Sequence, residues 1–295
     1  MNRHLIKILI VIWSIIAAVS VGFLVYGLTH RANVTGISEI FRLKNSSFNR
    51  TYTIQKDENV PLKNCSKMNF NFSNADVIVH TVDASNLRIV QNSTSALKDR
   101  EKFAVTRGTN DITVKVERIN RSYGIFQLNF SEKIDIYVPK NYMKSLSIYT
   151  ASGDIIFASD VKMDDIEIDQ NSGDFESEYN IVSNNMYVNS TSGDVSINNL
   201  ASKHYDIRSI SGDVNINLLS GSGQVKATSG DINLSIPEKS GFEFYGNCIS
   251  GNINSNFPIN YENEKHSSAS AKIGSGPYER IDISTVSGDI NISKK

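Results

Sequence analysis

Residues 190–200, STSGDVSINNL, read as a half-buried strand entered through a tight turn. The same Ser-Gly-Asp core returns in TASGDIIF, QNSGDFES, SISGDVNINL, ATSGDINLSI, CISGNINSNF and TVSGDINISKK. Its serines are Ser152, Ser172, Ser192, Ser211, Ser229, Ser250 and Ser287, at spacings of 20, 20, 19, 18, 21 and 37. A period near 19, with the last interval close to two periods, marks a stacked repeat. Within each copy the apolar residues alternate by two, so the unit is β.

Aligning the copies shows which way the side chains point. One residue after the Asp stand Ile155, Phe175, Val195, Val214, Ile232, Ile253 and Ile290, all apolar. The next position carries Glu176, Ser196, Asn215, Asn233, Asn254 and Asn291. Four residues before the Ser come Ile148, Ile168, Val188, Ile207, Val225 and Ile283. Each repeat is therefore two half-buried strands meeting at a corner. Stacked in parallel about 4.8 Å apart, such rungs share one core. The expected fold is all-β, a right-handed parallel β-solenoid of rungs near 19 residues long.

Recurrence also says what the corner is for. Gly supplies positive φ at low cost, and Ser and Asp side chains bond neighbouring backbone groups. A catalytic residue needs one copy in one pocket, whereas these would form a row. The corner pairs Gly153–Asp154, Gly173–Asp174, Gly193–Asp194, Gly212–Asp213, Gly230–Asp231, Gly251–Asn252 and Gly288–Asp289 are read as structural turns. Ionised carboxylates about 4.8 Å apart repel by roughly 3 to 4 kcal/mol at an effective dielectric of 20, and calcium could relieve that. Calcium-binding β-rolls, however, use a shorter, glycine-dense repeat. Asn252 also replaces one Asp without disturbing its surroundings.

The amino terminus sets the location. From Ile8 to Leu28 the chain runs 21 residues without a charge, enough to cross a bilayer. A cleaved signal peptide, with small residues at Ala18-Val19-Ser20, is the rival, but its apolar run would end sooner. Arg3 and Lys7 place the tail in the cytoplasm and the remainder outside, an orientation that Arg31, Arg42 and Lys44 weaken. The expected organisation is a tail and transmembrane anchor (1–30), a polar stalk (31–50) and the β domain (51–295). A formal net charge of −1 gives no pull towards nucleic acid. Cys65 and Cys248 are too few for a disulfide scaffold, and the five histidines show no ligand spacing. Cys248 falls at the small inward position held elsewhere by Thr150, Ser190, Ser209, Ala227 and Thr285 and is expected to be a buried free thiol.

With the rungs aligned, the chain resembles the β-strand-repeat "putative adhesin" domain of bacterial surface proteins, including LiaG-like envelope proteins. The resemblance spans roughly residues 50–295. It is carried by FNFSNADVIVHT, by KIDIYVPKNYMKSLSIYTASGDI and by the closing GSGPYERIDISTVSGDINI. It implies an extracytoplasmic β-solenoid, often tethered to a membrane and linked to cell-envelope stress. It supplies no catalytic residues. Residues 77–147 keep strand alternation but lose the motif.

Two regions remain. ALKDREKF, 96–103, reads as a solvated turn. Residues 257–277, FPINYENEKHSSASAKIGSGP, break the rhythm and read as an insertion loop outside the repeat. Its Tyr261, Glu262, Glu264, Lys265 and His266 are the candidate partner contacts. The stack ends are expected to be covered by residues 51–66 and guarded by Lys294 and Lys295. An enzyme of the polysaccharide-cleaving β-helix type would need clustered outward carboxylates with Arg or Lys and aromatics, and Trp13 is the sole tryptophan. No nucleophile elbow, HExxH, P-loop or GxGxxG is present. The sequence thus points to a non-catalytic binding or scaffold module with no cofactor. Its candidate partners are a cell-wall polymer, another envelope protein or a copy of itself.

Overall fold

The computed structural model describes residues 51–116 and 131–295. The β domain is the compact unit Tyr52–Lys295. The anchor expected over 8–28 and the stalk lie outside the described residues. Among the described residues, no helix is long and apolar enough to cross a membrane.

Twenty-one strands and a single 3-10 turn, Asp99–Glu101, make up the described domain, and the strands bond into one continuous sheet. Along one side, Ser145–Ser152, Val161–Gln170, Phe175–Ser192, Val195–Ser211 and Leu219–Ser229 stack in parallel. Alternation buries one residue in two, so like side chains pile up in columns. Leu146, Ile166, Met186 and Tyr205 form one, and Ile148, Ile168, Val188, Ile207 and Val225 another, all buried. After the corner, the column Ile155, Phe175, Val195, Val214, Ile232 does the same on a second side. The middle rungs have a third side, 161–163 over 181–183 over 200–202, where two had been expected. Their buried Val161, Met163, Ile181 and Leu200 fill the widened core.

The rungs do not follow chain order, as had been expected of them. The last strand pair inserts one rung in from the end: Glu279–Ser287 lies between Leu219–Ser229 and Phe242–Ser250. Likewise Ile290–Lys294 lies between Ile232–Ile236 and Ile253–Ser255. Lys294 and Lys295 therefore do not guard a sheet edge. At the other end Lys67–Asn74 and Asp76–Val82 form a rung directly on 145–157, with Asn74 beside Ser152 and Val77 beside Ile155. Asn74-Ala75-Asp76 is thus a first corner without the glycine.

Both ends are closed by antiparallel strands. Asp111–Lys115 extends the long side in parallel past Lys67–Asn74 and Ala104–Arg107 closes it antiparallel, while Asn86–Ser93 and Thr53–Pro61 extend the other side antiparallel past Glu132–Pro139. Residues 51–66 thus cover one side only. The 96–103 stretch is more than a solvated turn. Glu101 and Phe103 are buried, and Gln91 bonds both backbones, with Nε2 donating to Glu101 O at 3.0 Å and Oε1 accepting from Phe103 N at 2.8 Å.

Segment 257–277 is the far cap and not a loop outside the repeat. Ser268–Ile273 runs antiparallel to Phe242–Ser250, and Asn260–Tyr261 pairs outside it. Phe257 packs edge-on against Phe242 at 5.0 Å, and Ala269 and Ala271 are buried. Its SSASAKI alternation is a strand signal that the surrounding polar residues conceal.

A polar groove as the candidate functional site

The corner sets the registry on which the site is built. The seven corner glycines have φ between +114° and +143°. A Cβ at Gly193 would also overlap the carbonyl oxygen of Gly173, and the same contact recurs up the stack. Each aspartate Oδ1 accepts the backbone N–H of the next rung: Asp174 N reaches Asp154 at 2.9 Å, and Asp194 N reaches Asp174 at 2.8 Å. Asp213, Asp231 and Asp289 continue the row in spatial order, and Asn252 ends it by donating to Asp289 at 2.8 Å. It begins at Asp76, which accepts from Asp154 N at 3.2 Å. Burial is the main cause that pushes the Asp76 carboxyl up. Backbone donors thus offset the repulsion expected along the row, and among the described residues no cluster of three or more metal-ligating side chains forms.

Two residues beyond the corner, outward side chains line a groove of about 1090 Å³. In spatial order its first column is Glu176, Ser196, Asn215, Asn233, Asn291 and Asn254. The amides bond head to tail: Asn233 Nδ2 donates to Asn215 Oδ1 at 2.8 Å, Asn291 to Asn233 at 2.8 Å, and Asn254 to Asn291 at 3.0 Å. A second column adds Glu178, Asn198, Asn217, Ser235 and Ser293, joined by Asn217 Nδ2 to Asn198 Oδ1 at 2.7 Å and by the Ser235–Ser293 hydroxyls at 2.6 Å. Inserting the last rung carries Asn291 between Asn233 and Asn254 and closes the ladder. Alignment of the repeats had found the first column. The second column and the spatial order had no signal in a reading by chain order.

Past Glu176 this side continues through Ile156 and Ile78 to a charged and aromatic cluster. Asp135, buried, bonds His80 Nε2 at 3.2 Å and accepts from Asn92 Nδ2 at 2.8 Å, with Lys133 Nζ at 3.2 Å. His80 stacks on Tyr137 at 4.7 Å, and the Arg88 guanidinium lies 5.4 Å from that ring's centre. Arg88 also forks onto Asp57 and holds its carboxyl below the ordinary range. These residues are distant in sequence, and nothing in the motif-free segment had marked them.

The candidate contacts at 261–266 sit on the far cap. Tyr261 Oη donates to Ile253 O at 2.9 Å, and its ring stacks on His266 at 3.9 Å. His266 O accepts the Ile253 N–H at 2.8 Å, and Glu262 accepts from Ser268 Oγ at 2.7 Å. Glu264 and Lys265 are exposed at the tip between them. Tyr261 and His266 thus cover the backbone of the last rung.

The family model described as Toastrack DUF4097 matches residues 65–234 and 221–293. The chain belongs to the Toastrack DUF4097 family. Its resemblance to the "putative adhesin" domains, carried by the corner motifs, agrees with that membership. Among solved structures, a "putative cell adhesion protein" from Clostridium sporogenes is similar at 11% identity, over 83% of this chain and 100% of that one, with a TM-score of 0.42. A "putative adhesin" from Bacteroides fragilis is similar at 14% identity, over 82% and 97%, with a TM-score of 0.38. A "putative lipid binding protein" from Parabacteroides distasonis is similar at 14% identity, over 83% and 97%, with a TM-score of 0.36. No curated protein matches the chain in sequence.

Proposed function

We propose that this Toastrack protein is a non-catalytic binding or scaffold module held outside the cytoplasm by a single N-terminal span. The observation that carries the reading is the groove side, where amide and hydroxyl groups recur rung after rung on a rigid stack. Regular polar groups suit many weak contacts to an extended polymer or a flat protein surface. The uncharged run at 8–28 supports the tether, and the short tail with Arg3 and Lys7 supports its orientation. Right-handed winding, the sense that dominates parallel crossovers, belongs to the same reading. The partner is a cell-wall polymer or another envelope protein.

One observation favours a second reading, a polysaccharide-active enzyme. Glu176 and Glu178 lie in the groove two residues apart on one strand, so both carboxylates project from the same face, as a pair of acid and base would have to in glycoside hydrolysis. Crosslinking in intact cells, with identification of what is captured, tests the first reading. An abundant envelope partner is expected. Release of reducing ends from envelope glycan that stops in Glu176→Gln and Glu178→Gln would establish the second instead.

A further inference from the structure

From the groove's repeat and charge we infer that its occupant is a neutral, extended glycan lying along the stack axis, with about one sugar ring to each rung. The inference rests on the binding-module reading and narrows it to one ligand class.

The hydrogen-bond count comes first. An amide has two N–H donors and two acceptor lone pairs. Within the ladder, Asn233 spends one N–H on Asn215 and one lone pair on Asn291. The remaining donor and acceptor are available to the groove, and the pattern repeats at Asn291. A ligand that gives and takes hydrogen bonds at every step satisfies both, and sugar hydroxyls do so.

Spacing comes second. Rungs repeat at about 4.8 Å, while an extended peptide presents like groups on one side only every two residues, about 6.6 Å. A peptide laid along the axis falls out of step within two rungs. A β-1,4 pyranose chain advances by close to one rung per ring, so its like faces, which alternate, recur close to every second rung and stay in step.

Charge comes third. The groove from Ser196 to Asn254 carries no charged side chain, and Glu176 and Glu178 stand at one end. The corner aspartates run beside it along its length. That border repels polyanions, and the amide floor, which both gives and takes hydrogen bonds, suits a neutral hydroxyl-bearing chain better than a polycation, which only donates.

The test uses the full chain and chitohexaose, the neutral β-1,4 hexamer of N-acetylglucosamine, with cellohexaose as the same backbone without amides. Titration calorimetry should show binding that strengthens from dimer to hexamer. Ser235→Tyr fills the groove from its second column, and Asn233→Asp puts two acceptors face to face in the ladder. Each should weaken hexamer binding about tenfold or more, with the thermal melt of Ser235→Tyr unchanged. No binding by either hexamer, binding that does not grow with length, equal binding in both variants, or tighter binding of hexalysine or polygalacturonate would each overturn the inference. Retention on isolated cell envelopes is measured in parallel. If wild type is retained but binds neither hexamer, the glycan assignment fails and the binding module stands. If it is not retained either, both fail.

Discussion

At the Ser-Gly-Asp corner, seven near-identical turns hold the stack through repeated bonds between one rung and the next. In residues 257–273, a single unrepeated segment closes the stack by turning back and pairing antiparallel. The corner copies are interchangeable, so none of them can specify which rung lies beside which. That information sits in the irregular connections. The 257–273 segment occupies the outer side of 242–250 and leaves the inner side free for the last rung. The repeat thus fixes how a rung is made, and the non-repeating segment fixes where the stack ends.

The largest effect should come from removing residues 277–295. Were the rungs in chain order, this would trim one end. In the observed order it opens a gap beneath 242–250 and strips away buried Ile281, Ile283, Ile290 and Ile292. Four such side chains represent roughly 6–12 kcal/mol of burial, comparable to the whole stability of a domain. Loss of cooperative unfolding in a thermal melt is expected. A truncated chain melting within a few degrees of wild type would restore chain order.

Next is the corner itself. Gly193→Val forces a branched residue to a φ of +114° and into the carbonyl of Gly173. Strain and overpacking together should cost about 2–6 kcal/mol, read as a shift in the denaturation midpoint. Asp194→Asn should shift it little, since the amide oxygen can still accept from Asp213 N. A large loss on Asp194→Asn, or a melting point lowered sharply by calcium chelation, would show that the row holds a cation.

How much of this was legible follows from the same contrast. The columns were, because alternation and a fixed corner leave little freedom: Ile148, Val188 and Asn233 all lie on the sides assigned to them. Cys248 was too. It lies 2% exposed in the small inward column beside Thr285, its thiol pushed up first by burial, and both cysteines are free. Spatial order was not legible, because Asn291 in VSGDIN and Asn254 in ISGNIN carry near-identical local sequence, and pairing is what orders them. The first corner escaped because Ala75 stands where glycine is expected. The His80–Tyr137–Arg88 cluster escaped because it joins three strands that share no motif.

A smaller effect tests the cap. Deleting 260–275 removes the strand Ser268–Ile273 and the Tyr261 bond to Ile253 O, and it bares the edge of 242–250. With several ladder bonds lost at about 1 kcal/mol each, the domain should lose about 3 kcal/mol and aggregate through the exposed edge. Gel filtration after mild heating reads the second consequence. A monomeric variant with an unchanged melt would return this segment to the role of a free loop.

The smallest effect compares the two ends of the carboxylate row. The last corner carries Asn252, while the first carries Asp76, whose carboxyl burial raises above the ordinary aspartate value of 3.8. A folded value above the unfolded one means that the fold prefers the protonated acid. That contribution is complete below the unfolded value and is lost as pH rises through the folded one. At pH 7 the ionised Asp76 is therefore a cost, partly offset by the Asp154 N–H it accepts and by Lys133 nearby. Asn in its place keeps an acceptor for that N–H and carries no charge. Asp76→Asn should match wild type at pH 3 and exceed it at pH 7 by under about 1 kcal/mol, in denaturant titrations run at both values. A variant less stable than wild type at pH 7 would show that the charge at the first corner attracts more than its burial costs, and that the row needs an anion where it begins.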